Sequence, residues 1–402
     1  MQRLYSLIII LFLVLGAGCG LEDPLPGGSD MEDALSDGSK GYYSSSSSGS
    51  SSGSSSSPSG TGNDTGQEGL ITAGEWNDLE NWNFWTDLLD GQTYSDKPDY
   101  WRFYTRNRVS VKITDGTPVV NAKVELRKNG EPTWIARTDN NGIAELFPGL
   151  FAGSEEVDLS EFYVNNIRYR TALHLFKDGG VNEVMISSTM QNSNKVEISF
   201  IVDATGSMSD ELEFLKDDLE SVIQRAANDN QSADIYTSSV FYRDIGDDYL
   251  VKHSDFSQSI GVTKGYIAQQ QAAGGGDYPE AVHTALKTGI EQLQWSDDAR
   301  TRIAFLLLDA PPHYETQIVD EIHTYIKKAA EKGIKIIPIT ASGIDKETEF
   351  LMRFFSISTN GTYVFITNDS GIGNDHLEAS VGEYEVEYLN DLMVRLINKY
   401  IE

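Results

Sequence analysis

Val196-Glu197-Ile198-Ser199-Phe200-Ile201-Val202-Asp203-Ala204-Thr205-Gly206-Ser207-Met208 begins as an apolar, strand-like run and ends in a turn whose side chains at 203, 205 and 207 all carry oxygen. Leu212, Leu215, Leu219, Val222, Ile223 and Ala226 follow at helical spacing, so the turn joins a buried strand to an amphipathic helix. Oxygen atoms bunched at such a junction can hold a hard divalent cation, which takes oxygen ligands in preference to sulfur or imidazole. The segment reads first as a metal site.

The alternation of strand and helix continues from 194 to 402. A strand is expected over 235–242, a short edge strand over 249–253 and a helix over 260–273. Gly274-Gly275-Gly276-Asp277-Tyr278-Pro279 then opens another helix, with Pro279 at its first position. Residues 303–308 form a continuous apolar run that stops at Asp309, as a parallel strand buried on both faces should. A helix through Ile318, Ile322 and Ile326 ends at Gly333, and strands over 334–340 and 362–367 flank a helix around 350–355. Leu389, Leu392 and Leu396 mark a last helix. This pattern predicts a doubly wound α/β domain with a mostly parallel, Rossmann-like sheet. In such sheets ligands bind beyond the carboxyl ends of the strands, where Asp203, Asp244 and Asp309 stand. Each alone reads as a helix cap or a solvated loop acid; together, and with Thr205 and Ser207, they read as a site.

At 402 residues the chain exceeds one ordinary domain. Residues 28–66 are dominated by Ser and Gly and have almost no large apolar group, so they cannot offset chain entropy and read as a disordered linker. Trp76, Trp82, Phe84, Trp85, Trp101, Phe103 and Tyr104 then signal the start of packed structure, read as an aromatic-rich connecting segment over 69–104. Over 105–193 come short strands at 109–113, 119–126, 134–138 and 143–147. The turns Asp115-Gly116, Asn129-Gly130 and Asn140-Asn141-Gly142 separate them. They predict a small antiparallel β-sandwich, with Asp139 and Asn140 as turn formers.

The chain has 61 Asp plus Glu against 31 Lys plus Arg, a formal net charge of -30. That balance argues against nucleic-acid partners, which demand cationic contacts. At the N-terminus Arg3 precedes an apolar run over 7–15, too short to span a bilayer but suited to a signal peptide over 1–18. Cys19 is the only cysteine, so no intramolecular disulfide can form.

Leu15-Gly16-Ala17-Gly18-Cys19 resembles the lipobox of bacterial lipoproteins, with Gly16 where that family usually has an aliphatic residue. The resemblance implies lipidation at Cys19 and a lipid-anchored linker over 19–68. It implies residence in the bacterial cell envelope, at the outer membrane or cell surface, with the lipid anchor as the membrane contact. A Gly/Ser coil of about fifty residues has a reach of roughly 40 Å. Gly116-Thr117-Pro118-Val119-Val120-Asn121-Ala122-Lys123-Val124, followed by Thr138-Asp139-Asn140-Asn141-Gly142, resembles carboxypeptidase-regulatory-like, transthyretin-like modules, which implies a spacer or carrier.

Val202-Asp203-Ala204-Thr205-Gly206-Ser207-Met208 resembles the metal-ion-dependent adhesion site (MIDAS) of von Willebrand factor type A (VWA) domains, whose first motif is D-x-S/T-x-S. Phe241-Tyr242-Arg243-Asp244, Gly274-Gly275-Gly276-Asp277-Tyr278-Pro279-Glu280-Ala281 and Leu308-Asp309-Ala310-Pro311-Pro312-His313 place the likeness in the hemicentin branch, over 194–402. The resemblance implies a divalent cation, Mg²⁺ first and Mn²⁺ or Ca²⁺ as alternatives, held by Asp203, Thr205, Ser207 and Asp309. The family's G-G-T-x-T is replaced here by Gly274-Gly275-Gly276-Asp277-Tyr278, so Gly276 stands where a threonine belongs. Asp277 is the nearest oxygen donor and the expected substitute. The function implied is metal-dependent protein binding or adhesion, without catalysis, in which a partner's acidic side chain completes the metal site. Two other readings stand beside it. One is a Mg²⁺-dependent phosphohydrolase of haloacid-dehalogenase type, which wants a second Asp where Thr205 stands. The other is a structural surface protein with a vestigial site. His313 reads as structural in the Pro-Pro turn, having no nucleophile beside it.

Overall fold

The structure, a computed structural model, describes residues 69–153, 157–187, 193–373 and 375–402. The expected signal peptide, Cys19 and the expected Ser/Gly linker lie outside the described residues. Among the described residues no helix is long and apolar enough to cross a membrane.

Strand β1 (Thr72–Trp76) and the helix Trp82–Asp90 open the described chain. Trp82, Trp85 and Leu89 recur on one face of that helix and are buried. Trp85 stacks on Phe350 at 5.7 Å between centroids and donates from its indole nitrogen to Thr105 Oγ1 at 2.9 Å. These tryptophans are core. The segment also does more than connect, because β1 is a member of the large C-terminal sheet. Five residues that include a glycine give no periodicity to read; the pairing partners lie nearly three hundred residues downstream at Tyr363 to Ile366.

The sandwich has strands β2 (Val109–Thr114), β3 (Lys123–Lys128), β4 (Glu131–Arg137), β5 (Ile143–Leu146), β6 (Glu161–Val164), β7 (Ile167–Tyr169) and β8 (Asn182–Met185). They form two sheets, β5-β2-β8 and β4-β3-β6-β7. Asn129 and Gly130 both adopt positive φ, 54° and 84°, which is the turn that matches the twist of a two-residue hairpin. The expected strand over 119–126 starts only at Lys123 because Asn121 turns left-handed at φ 58°. Pairing is antiparallel except that β8 joins β2 in parallel. Asp139 Oδ1 accepts from the backbone of Asn141 and Ile143, both at 2.9 Å, in the expected turn role. Its Oδ2 accepts from Asn360 Nδ2 at 3.1 Å, so the turn also docks on the C-terminal domain.

That docking is apolar over most of its extent. Phe103 lies flat on Phe354 with centroids 3.6 Å apart, and Phe151 stacks on His323 at 4.3 Å. One hydrophobic cluster runs unbroken from sandwich residues such as Trp134 and Leu146 into the helices Thr316–Lys332 and Lys346–Ser358. His323 is buried with Nε2 donating to Trp101 O at 3.0 Å, which fixes that tautomer. Burial pushes its pKa down to about 4. An unfolded histidine titrates near 6.5, so between these values the unfolded chain binds the extra proton and stability falls as pH drops through the window. We expect acidification from pH 7 to 4 to cost roughly 2–3 kcal/mol through this residue. In denaturation profiles against pH, His323→Gln should flatten that part of the curve; an unaltered slope refutes the assignment.

The large sheet contains β9 (Lys195–Asp203), β10 (Asp234–Tyr242), β11 (Val251–Ser257), β12 (Thr301–Leu308), β13 (Ile334–Thr340), β14 (Tyr363–Ile366) and β15 (Val386–Tyr388). Strand order is β11-β10-β9-β12-β13-β14-β1-β15. The five from β10 to β14 run parallel, and β11, β1 and β15 pair antiparallel. The parallel strands β12 and β13 are buried at every position, as the continuous apolar runs predict. Helices Ser209–Asp229 and Leu389–Ile401 pack on one face, and Val282–Leu286, Thr316–Lys332 and Lys346–Ser358 on the other. This is the expected α/β fold with a sandwich ahead of it.

Two local expectations fail. The helix expected over 260–273 ends at Ile267. The helix expected to open at Pro279 begins at Val282, with Ala281 as its cap, and continues as a π-helix over Lys287–Gln292. The cause is visible at Glu280, whose backbone nitrogen donates to Pro311 O at 2.9 Å and which bridges Pro312 in parallel. That pairing holds the residue extended and delays the helix.

Candidate metal centre

Parallel register brings the site together. Tyr242 pairs with Asp203, and Leu307 with Val202, so β10, β9 and β12 release Asp244, Asp203 and Asp309 at one edge of the sheet. Asp203 is fully buried, and its Oδ1 accepts from Thr205 N at 2.8 Å and Thr205 Oγ1 at 2.6 Å. Thr205 Oγ1 lies 3.2 Å from Ser207 Oγ. The turn is pressed against the glycine loop, with Gly206 N donating to Gly274 O at 3.1 Å. A Cβ on Gly206 would sit 2.8 Å from that oxygen, so glycine is required there by close backbone approach.

Asp203 Oδ2, Asp309 Oδ1 and Glu280 Oε2 are among the buried carboxylate oxygens at this edge that have no hydrogen-bond partner among the described residues. Burial is the largest cause of a raised pKa for all three residues, Asp203 to about 6, Asp309 to about 7 and Glu280 to about 9. Like charge adds to it: Asp203 acts on both Asp309 and Glu280. Hydrogen bonds from Thr205 to Asp203 and from Ser207 to Asp309 offset part of the rise. Buried acids that repel one another and leave oxygens unpartnered are what a cation site looks like without its counter-charge. The donor set is all oxygen, which fits a hard divalent ion. Among the described residues no three His, Cys, Asp or Glu side chains form a ready ligand set, so an ion here leans on the two hydroxyls as well.

Of the five residues expected to hold the metal, the structure brings together Asp203, Thr205, Ser207 and Asp309. Asp277 is exposed and does not sit at a helix start. The acid that faces the cluster from this segment is Glu280, only 2% exposed. The position was readable as the one acid next to the buried run Ala281-Val282, but the assumed helix at Pro279 hid it. Asp247 was also missed; its Oδ2 accepts from Asp244 N at 3.1 Å and Gly275 N at 2.9 Å, pinning the glycine loop. His313 Nε2 meets Asp244 Oδ1 at 2.7 Å, so it holds the second-strand acid. Arg243, stacked on Tyr249, donates to Ala204 O at 3.1 Å and Gln271 O at 2.7 Å, bracing the turn from below.

Residues 197–371 match the family model described as von Willebrand factor A domain. A putative ariadne-like RING finger protein, R811, of Acanthamoeba polyphaga mimivirus is 31% identical over 141 residues, 34% of this chain. The chain spans 14% of that relative's length. Among solved structures, the pilus adhesin SpaC from Lactobacillus rhamnosus GG in its open conformation is similar over 52% of this chain and 30% of its own, at 12% identity and a TM-score of 0.37. A second structure of the same adhesin gives a TM-score of 0.36 at 12% identity, over 52% of this chain and 31% of its own.

Proposed function

We propose that the C-terminal domain binds a divalent cation through Asp203, Thr205, Ser207 and Asp309 and uses it to hold a protein partner, without catalysis. The observation that supports this most is the set of unpartnered buried carboxylate oxygens beside two hydroxyls at the carboxyl edge of the sheet. Bound there, the ion would offer an open position to a partner's oxygen, an acidic side chain in the reading taken from the resemblance. Asp203 and Asp309 supply the charge, Thr205 and Ser207 the neutral oxygens, and Mg²⁺, with Mn²⁺ or Ca²⁺ as alternatives, suits that set. The match of residues 197–371 to a VWA domain favours binding over chemistry. Thr205 in place of a second nucleophile-adjacent Asp speaks against a phosphohydrolase. On the N-terminal reading, Cys19 anchors the protein to an envelope membrane by lipid and residues 19–68 tether the folded part above it.

The test is thermal melting and calorimetry of the full chain with Mg²⁺, Mn²⁺ and Ca²⁺ in turn. One-site binding should stabilise the fold by about 2.7 kcal/mol at a hundredfold excess over Kd, and chelator should reverse it. No saturable heat and no shift with any of the three ions overturns the reading.

A further inference from the structure

We propose that Glu280, and not Asp277, supplies the third carboxylate of the cation site, acting on the ion through a bound water where the resemblance expects a threonine. This rests on the cation reading above and deepens it. Glu280 is 2% exposed, and its Oε2 has no hydrogen-bond partner among the described residues. A Cβ on Gly275 would lie 3.0 Å from Glu280 Oε1 and 3.3 Å from Thr205 Cβ, so the carboxylate and the Thr205 side chain flank the same glycine. The backbone fixes this placement. Glu280 N donates to Pro311 O at 2.9 Å, in the loop that carries Asp309, and Gly274 and Gly275 at φ 80° and 72° make the turn that delivers the segment.

The charged groups acting on Glu280 are Asp203, Asp244, Asp309 and Asp247, all of its own sign. A buried carboxylate so surrounded is costly unless a cation answers it. Asp277, by contrast, is in solvent and needs no such answer. Because no three acidic or imidazole side chains form a ready ligand set among the described residues, Glu280 is assigned to a coordinated water, in the outer shell that orients a site. Its charge would hold the ion more firmly while weakening the ion's pull on a partner carboxylate.

The experiment is calorimetric titration of the full chain with Mn²⁺ alone, comparing wild type, Glu280→Gln and Asp277→Asn. Glu280→Gln should lose about 10–100-fold in affinity, as outer-shell changes do, and Asp277→Asn should match wild type. In ion-free solution, Glu280→Gln should melt at or above wild type, because an amide there is not repelled by the surrounding carboxylates. Wild-type affinity in Glu280→Gln, or the loss appearing in Asp277→Asn, overturns the proposal. So does a Glu280→Gln protein that melts lower by the same amount with and without Mn²⁺, which marks a purely structural residue. If wild type itself shows no saturable binding, the cation reading falls, and this one with it.

Discussion

Asp78→Ala is expected to destabilise the folded chain by about 3–5 kcal/mol, the usual cost of leaving one member of a buried ion pair alone. Asp78 and Arg353 are both inaccessible to solvent, joined at 2.5 Å from Nη2 to Oδ1 and 2.9 Å from Nε to Oδ2. Trp76 Nε1 adds a bond to Asp78 Oδ1 at 3.0 Å, and Arg353 Nη1 reaches Ser380 O at 2.6 Å. The strongly raised pKa of Arg353, with burial opposed chiefly by Asp78, reflects the same dependence. Among the described residues Glu349, 3.8 Å from Nη1, is the acid left to the guanidinium after the change, and it is already engaged by Ser380. Urea denaturation measures the loss. Arg353→Met combined with Asp78→Ala should recover much of it, since an apolar pair of similar volume avoids the uncompensated charge. A loss under about 1 kcal/mol for the single variant, the worth of an exposed pair, would mean that this contact does not tie the N-terminal segment to the domain.

Asp203→Asn should abolish cation-dependent stabilisation, removing the gain of about 2.7 kcal/mol expected at a hundredfold excess of ion over Kd. The change is conservative where it needs to be. The asparagine side chain would keep an oxygen for Thr205 N and Oγ1, whose bonds go to the single atom Oδ1, while the charge facing the ion is lost. In ion-free solution the variant should be at least as stable as wild type, because burial and neighbouring carboxylates already disfavour the charged form. Melting curves with and without Mg²⁺ separate the two effects. An undiminished Mg²⁺ shift in the variant would remove Asp203 from the site and with it the proposed ligand set.

Much of the C-terminal domain was legible because its signals are local. The run ending at Leu308 is apolar at consecutive positions, which a strand covered on both faces tolerates, and Asp309 marks where the apolar run stops. The motif from Asp203 to Ser207 was equally plain, since its geometry is set by hydrogen bonds two residues apart. What escaped depends on distant partners. β1 becomes a strand only between β14 and β15, and its own five residues carry no sign of either. Glu280 was hidden by a sound local rule: Pro279 suits a first helical position, but the bridge to Pro312 outweighs that preference. The contrast between Glu280 and Asp277 is therefore one of tertiary pairing, invisible to spacing alone.

The insertion of β1 has a mechanical consequence. Tension arriving from the residues before 69 would enter the fold at Gly69, whose nitrogen bonds Asp218 Oδ1 at 2.7 Å, and at β1, flanked by β14 and β15. Asp218 lies on the helix Ser209–Asp229, which starts two residues after Ser207. A pull on the leading end thus loads the helix that follows the oxygen-bearing turn.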